Sequence, residues 1–141
     1  MNRLCRIFGL LVILVCAGCN SDIVSTKQLK TLENKCVYIA PLNSEDPQVG
    51  EVLRDGLEKE LLRKGIAICD SNTATVFITG STFLTTRGSG SATSQSIESV
   101  SLVGKDSSGE ILLSASYDNK EQYSASRLAK EFGSSLADKL R

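Results

Sequence analysis

Apolar and polar residues change their spacing several times along the chain, and each change predicts a different kind of segment. Residues 7–15 form an unbroken apolar run that follows the basic residues Arg3 and Arg6. This run is too short for a helix across a bilayer, which needs about 20 residues. A basic start and a short apolar run are typical of a cleaved signal peptide, so residues 1–18 are assigned to a signal.

Two later segments have the three-to-four-residue apolar spacing of amphipathic helices. The first begins after Asp46 and Pro47, which suit the N-cap and the first helical position, and it ends at Gly65. Ser124 or Ser126 caps the second, which runs towards the last residue. We expect these stripes to face the core: Val49, Val52, Leu53, Leu57 and Leu61 in the first, and Ala125, Leu128, Ala129, Phe132, Leu136 and Leu140 in the second.

Five segments have the composition of β-strands: residues 35–42, 66–70, 74–86, 97–103 and 110–117. The order β-α-β-β-β-β-α predicts an α/β fold, specifically a two-layer sandwich with a mixed sheet of about five strands and two helices on one face. The strands that flank the first helix should be parallel, and the last three should form an antiparallel meander. We therefore predict a single domain over residues 35–141.

Two polar segments carry no strand or helix pattern of their own. Residues 20–34 predict a tether, in which residues 26–32 could form a short helix. Together with its attachment point at residue 19, the tether spans residues 19–34. Residues 87–95 are rich in Gly and Ser and predict a flexible loop between two strands. Exposed loops frequently carry binding residues, so this loop is a candidate interaction site, represented by Arg87, Gly88, Ser89 and Gly90.

Charge and composition exclude several classes of function. Lys and Arg equal Asp and Glu at 16 each, and loss of Arg3 and Arg6 with the signal leaves a net charge of −2. No basic stripe stands out, which argues against nucleic acid as a partner. The absence of histidine removes the commonest general base and metal ligand. Asp70, Asp106 and Glu110 are better explained as turn residues than as a catalytic or metal set, so we expect no enzyme, no metal and no cofactor.

Cysteine usage leaves one pairing open. Cys5 and Cys16 belong to the signal, whereas Cys36 and Cys69 lie in the predicted domain. An exported protein can form disulfides. However, Cys36 opens one predicted strand and Cys69 closes another, so in a parallel pair they would lie about 10 Å apart. The pattern therefore favours two small buried residues, with a disulfide as the alternative.

The end of the signal resembles the lipobox of bacterial lipoproteins. The apolar run is followed by Cys16, Ala17, Gly18 and Cys19, with Cys16 where leucine is usual. The resemblance implies cleavage between Gly18 and Cys19, a diacylglyceryl thioether on Cys19 and a further acyl chain, such as palmitate, on its new amino group. Asn20 rather than aspartate follows. In such lipoproteins this implies the periplasmic face of the outer membrane.

The domain itself resembles a group of periplasmic lipoprotein domains. The group includes the curli-secretion lipoprotein CsgG, the penicillin-binding-protein activator LpoB and the N-terminal domain of TolB. Three segments carry the similarity: the strand at residues 37–42, the helix at 52–65 and the hairpin at 102–112. The resemblance implies the same sandwich, but this chain lacks the long insertions that build the curli pore.

These features predict a non-enzymatic adaptor or scaffold, held at the outer membrane by its lipid and bound to a protein partner in an envelope complex. Self-association of the chain is one form that such a complex could take. The alternative is a lipid-handling module, similar to the lipoprotein of lipopolysaccharide assembly, which also places two helices on a small sheet. A lipid binder should present a basic or apolar patch, and no basic cluster is evident in the sequence.

Overall fold

The computed structural model describes residues 21–141. The predicted signal peptide and the lipidation site at Gly18 and Cys19 lie outside these residues. The described chain forms six strands and three helices: β1 (Ser21–Ser25), α1 (Lys27–Thr31), β2 (Cys36–Ile39), α2 (Pro47–Arg63), β3 (Ala67–Ile68), β4 (Val76–Ser89), β5 (Ala92–Lys105), β6 (Ile111–Asp118) and α3 (Ala125–Leu140). None of the helices in this part of the chain is long and apolar enough to cross a membrane.

The strands form one mixed sheet in the order β1-β6-β5-β4-β2-β3. β2 is parallel to both β3 and β4, while β4, β5 and β6 form the predicted antiparallel meander. The two-layer α/β sandwich is therefore confirmed, with six strands instead of about five.

The additional strand corrects the prediction of a tether. Residues 21–25 form β1, which pairs antiparallel with β6 from Ser21 opposite Tyr117 to Ser25 opposite Leu113. The short helix α1 follows. Thr26 caps it, and the side chain of Leu29 is fully buried in the core. Because the Thr26 backbone N–H also donates to the Leu112 carbonyl at 2.9 Å, this segment belongs to the domain.

Both long helices begin and pack as the sequence predicts, with one exception. Asp46 caps α2 by accepting a hydrogen bond from the Gln48 N–H at 3.0 Å, and Ser124 caps α3. A Cβ atom at Gly56 would lie 2.6 Å from the Cβ of Ala129, so glycine allows the two helices to approach closely. Val52, however, is 47% exposed and does not belong to the core.

The core lies between the helices and one face of the sheet. Alternate residues of each central strand point into it, and the Phe132 ring of α3 contacts the Tyr117 ring of β6 with centroids 5.5 Å apart. The largest fully buried side chains are nearly all aliphatic: Leu29, Ile39, Leu53, Leu57, Leu61, Ile78, Leu102, Leu112, Leu113, Leu128 and Leu136, together with Phe132. Among residues 21–141, no further layer covers the opposite face of the sheet.

Candidate interaction surface

The predicted loop at residues 87–95 is instead the end of a long β-hairpin. β4 continues to Ser89, β5 starts at Ala92, and Arg87, Gly88, Ser89 and Gly90 are all exposed. Gly88 has φ +128°, and a Cβ there would collide with the Ala92 carbonyl oxygen, so the narrow hairpin requires glycine. The candidate interaction residues therefore sit on a projecting two-stranded ribbon.

A polar groove of about 360 Å³ lies at the base of this hairpin. Its lining combines two basic and two acidic side chains with hydroxyl and amide groups: Thr85, Arg87, Ser96, Glu98, Asp118, Asn119, Lys120 and Gln122, with Ile97. The Thr85 and Ser96 hydroxyls are 3.2 Å apart and join the two strands across the groove wall. Balanced charges of this kind suit a polar or zwitterionic group better than an apolar one.

Asn119 holds the opposite wall of the groove in place. Its side chain is 95% buried, and its Nδ2 donates to the Ile97 carbonyl at 2.8 Å and to the Tyr123 carbonyl at 3.0 Å. Its Oδ1 accepts from the Tyr123 N–H at 2.8 Å. These bonds fix the turn between β6 and α3 against β5. The sequence carries no signal for Asn119, since an asparagine in a polar turn resembles many exposed ones.

The outer face of the sheet, which points away from α2 and α3, carries an apolar group at one end. Register places Phe77 in one row with Lys105 and Ile111, and Val103 in the next row with Ser114 and Val24. We call Val24, Tyr38, Phe77, Val103 and Ile111 the outer apolar patch. Val24 is 64% exposed and Ile111 53%, whereas the ring of Tyr38 rests against that of Phe77 at 6.4 Å.

Serine residues separate this patch from the hairpin end. Ser81, Ser101 and Ser116 form one row across β4, β5 and β6, and only in the next row does another exposed aromatic residue, Phe83, occur. The outer face is therefore divided into an apolar end, a hydroxyl-rich middle and the projecting hairpin.

Cys36 and Cys69 are joined by a disulfide, with their Cα atoms 5.7 Å apart. The expected separation of about 10 Å is wrong because β3 is only two residues long. Immediately beyond it, Cys69 stays beside β2, where its N–H donates to the Val37 carbonyl at 2.9 Å. Both cysteines then lie on the outer face of the sheet, half-buried, at a distance suited to a disulfide.

The carboxylates considered as a catalytic or metal set each close a local turn. Asp70 accepts hydrogen bonds from the N–H groups of Asn72 and Thr73, and these bonds lower its pKa. Asp106 accepts from Ser108 and from the Glu110 N–H, which lowers its pKa in the same way. Among residues 21–141, no three His, Cys, Asp or Glu side chains are grouped as a metal site.

One buried acid was not anticipated. Glu60 of α2 is 95% buried beside Gly133 of α3, and a Cβ at Gly133 would lie 2.9 Å from the Glu60 Cβ. The guanidinium of Arg63 donates to both carboxylate oxygens, with Nε 2.9 Å from Oε2. This pairing holds the pKa of Glu60 below its usual range, and it explains how the helix interface tolerates a charge.

Solved structures with the same fold have been identified by comparison. The chain is similar to PelC from Paraburkholderia phytofirmans, in two dodecamer structures. For a variant dodecamer the TM-score is 0.61 at 17% identity, over 86% of this chain and 98% of that one. For the other dodecamer the TM-score is 0.59 at 15% identity, over 85% and 95%.

A PDZ domain protein from Parabacteroides distasonis is also similar, with a TM-score of 0.53 and 12% identity over 84% of this chain and 34% of that one. No family model and no curated protein matches the sequence. At these identities the similarity establishes the fold of the domain, and the resemblance to the CsgG, LpoB and TolB group stays a prediction.

Proposed function

We propose that this chain is a periplasmic lipoprotein, anchored in the outer membrane through Cys19, that acts as a non-enzymatic adaptor and assembles through copies of itself. The observation that carries the proposal is the lipobox-like sequence that ends in Cys19, with a single residue between it and the first strand of the domain. Each buried acyl methylene contributes about 0.8 kcal/mol, so two or three chains on Cys19 hold the domain firmly at a bilayer.

Self-assembly is supported by the fold and by the outer apolar patch. PelC, which has the same fold over nearly its whole chain, occurs as a dodecamer. In this chain, Val24 and Ile111 expose more than half of their surface on the outer face. Their rows also hold Val103 and the half-buried Phe77, with Ser114 and Lys105 between the apolar side chains. Exposed apolar side chains that cluster on one face are typical of protein contacts. We assign this patch to the contact between copies.

The anchor is tested by mass spectrometry of the protein isolated from membranes of its host. The expected product starts at Cys19 and carries the mass of a diacylglyceryl group and an amide-linked acyl chain. An intact signal at residues 1–18, or an unmodified Cys19, refutes the proposal. Separation of the two membranes by density then tests the outer-membrane address, since a protein confined to the inner membrane contradicts it.

Assembly is tested by native mass spectrometry of the lipidated protein in detergent. We expect a discrete oligomer that Val24→Glu dissociates, because the new carboxylate would be buried without a partner in the contact. Gln48→Glu makes the same change of charge on an exposed site at the start of α2 and should leave the oligomer intact. A monomer at every concentration, or equal behaviour of the two variants, counts against the contact.

A further inference from the structure

Ser21, two residues after the proposed lipidation site, and the β4–β5 hairpin lie towards the same end of the sheet. Ser21 pairs with Tyr117, which pairs with Val100, and Val100 pairs with Thr82. Beyond the row of Phe83, Ser99 and Asp118, only β4 and β5 continue, as far as Ser89 opposite Ala92. The N-terminal end of β1 points in the direction in which the hairpin projects, because β1 runs antiparallel to β6.

The hairpin reaches farther in that direction than the anchor can. Strand β4 continues from Thr82, which is level with Ser21, to Ser89, and at about 3.4 Å per residue this is a projection of about 24 Å. Cys19 is two residues from Ser21, so their Cα atoms are at most about 7.6 Å apart. With upright strands, the hairpin would extend about 16 Å past the farthest reach of the Cys19 backbone, towards the membrane that holds its lipid.

A bilayer does not admit the hairpin at that depth. The headgroup layer on each side is only about 5–7 Å thick. Inside the hydrocarbon core, the unpaired edges of an isolated two-stranded ribbon would leave backbone groups without hydrogen bonds. An anchored domain that tilts until the hairpin lies along the membrane surface, at the level of the headgroups, avoids this cost.

The composition of the hairpin suits that position. Between Leu84 and Ile97 the only charged residue is Arg87, and the remaining tip is built from small polar residues. The predicted mature chain as a whole is negative. An arginine among hydroxyl and amide groups can donate hydrogen bonds to lipid phosphates. Beside it, the groove at the hairpin base adds Lys120 and the acids Glu98 and Asp118. Basic and acidic side chains together match a lipid headgroup that has both a phosphate and an amine.

We propose that the β4–β5 hairpin is a second membrane contact, which lies on the phospholipid headgroups next to the lipid on Cys19. The proposal rests on the lipid anchor of the proposed function, but not on the assembly of copies. It makes the domain lie on the bilayer with a fixed orientation: the hairpin touches the surface, while the turn at residues 106–109, at the other end of the sheet, faces away from it.

The test uses introduced tryptophan, because the chain has none. Ser91→Trp places the indole in the turn of the β4–β5 hairpin, and Ser107→Trp places it in the exposed turn of the β5–β6 hairpin. Both lipidated proteins are reconstituted in phosphatidylethanolamine and phosphatidylglycerol vesicles whose acyl chains carry bromine near the headgroup. We expect S91W to lose most of its emission relative to unbrominated vesicles, and S107W to keep all of it.

The outcomes separate this inference from the proposed function. If mass spectrometry shows no lipid on Cys19, the anchor and the hairpin contact both fail. If the lipid is present but S91W is not quenched, only the hairpin contact is overturned. Equal quenching of S91W and S107W also overturns it, because the domain then has no fixed orientation. If S91W is unquenched by bromine but shielded from aqueous iodide, the hairpin contacts a second copy instead.

Discussion

The disulfide between Cys36 and Cys69 closes a loop that contains the whole of α2. Its removal should destabilise the domain because the unfolded chain gains conformational entropy. The cysteines are separated by 33 residues. The loop-closure relation gives a stabilisation of about 4 kcal/mol for a loop of this length. Because both side chains are only half-buried, replacing them with alanine removes little packing. Small domains are stable by about 5–15 kcal/mol, so the loss is a large fraction of the total.

The measurement is urea unfolding of the mature chain, made without lipid by Cys19→Ser, followed by circular dichroism. We compare the oxidised protein, the protein in reductant and the Cys36→Ala/Cys69→Ala variant. The free energy of unfolding should fall by about 4 kcal/mol in both altered forms, and reductant should not affect the double variant. Coincident curves for oxidised and reduced protein would refute the reasoning, since the cross-link would then not constrain the unfolded state.

Three further predictions concern single side chains. Asn119→Ala should lower the free energy of unfolding by about 2 kcal/mol, because it leaves buried partners unpaired, whereas the exposed Gln95→Ala should change it by less than about 0.5 kcal/mol. Asp46→Ala should cost about 1 kcal/mol and Asp46→Asn much less, as urea midpoints will show; equal losses contradict a capping role. The hydrogen bonds from Arg63 lower the pKa of Glu60, so the ionised Glu60 stabilises the folded domain at neutral pH, and this contribution is lost as the pH falls through that pKa. Glu60→Gln should therefore be less stable at neutral pH and approach the parent protein in acid; a constant difference would contradict the ion pair.

The helices and central strands could be predicted because their burial leaves a regular imprint on the sequence. Leu57, Phe132 and their neighbours recur at helical spacing, and the caps Asp46 and Ser124 mark where each helix begins. β1 leaves no such imprint. Its five residues include one half-buried isoleucine, Ile23, and its strand conformation depends on pairing with β6, which is distant in sequence.

The candidate site was predicted in composition but not in conformation. The hairpin tip is exposed on both faces, so it has no apolar alternation, and Gly88 and Ser89 suggest a loop although backbone bonds to Thr93 and Ala92 continue the ladder. Composition predicts a strand of regular length after Gly65, and such a strand would separate Cys36 and Cys69 by too great a distance for a disulfide. A two-residue strand cannot be distinguished from a longer one by composition alone.

The place of β1 in the sheet also determines how the protein withstands force. Under the proposed lipid anchor, a partner that pulls the domain away from the bilayer would load Cys19 and, through it, Ser21, the first residue of β1. Hydrogen bonds in an antiparallel pair lie perpendicular to the strands. A pull along β1 therefore shears its bonds to β6 together, whereas a sideways pull would open them one after another. With the proposed attachment next to the start of this edge strand, the domain would be most resistant along the direction of β1.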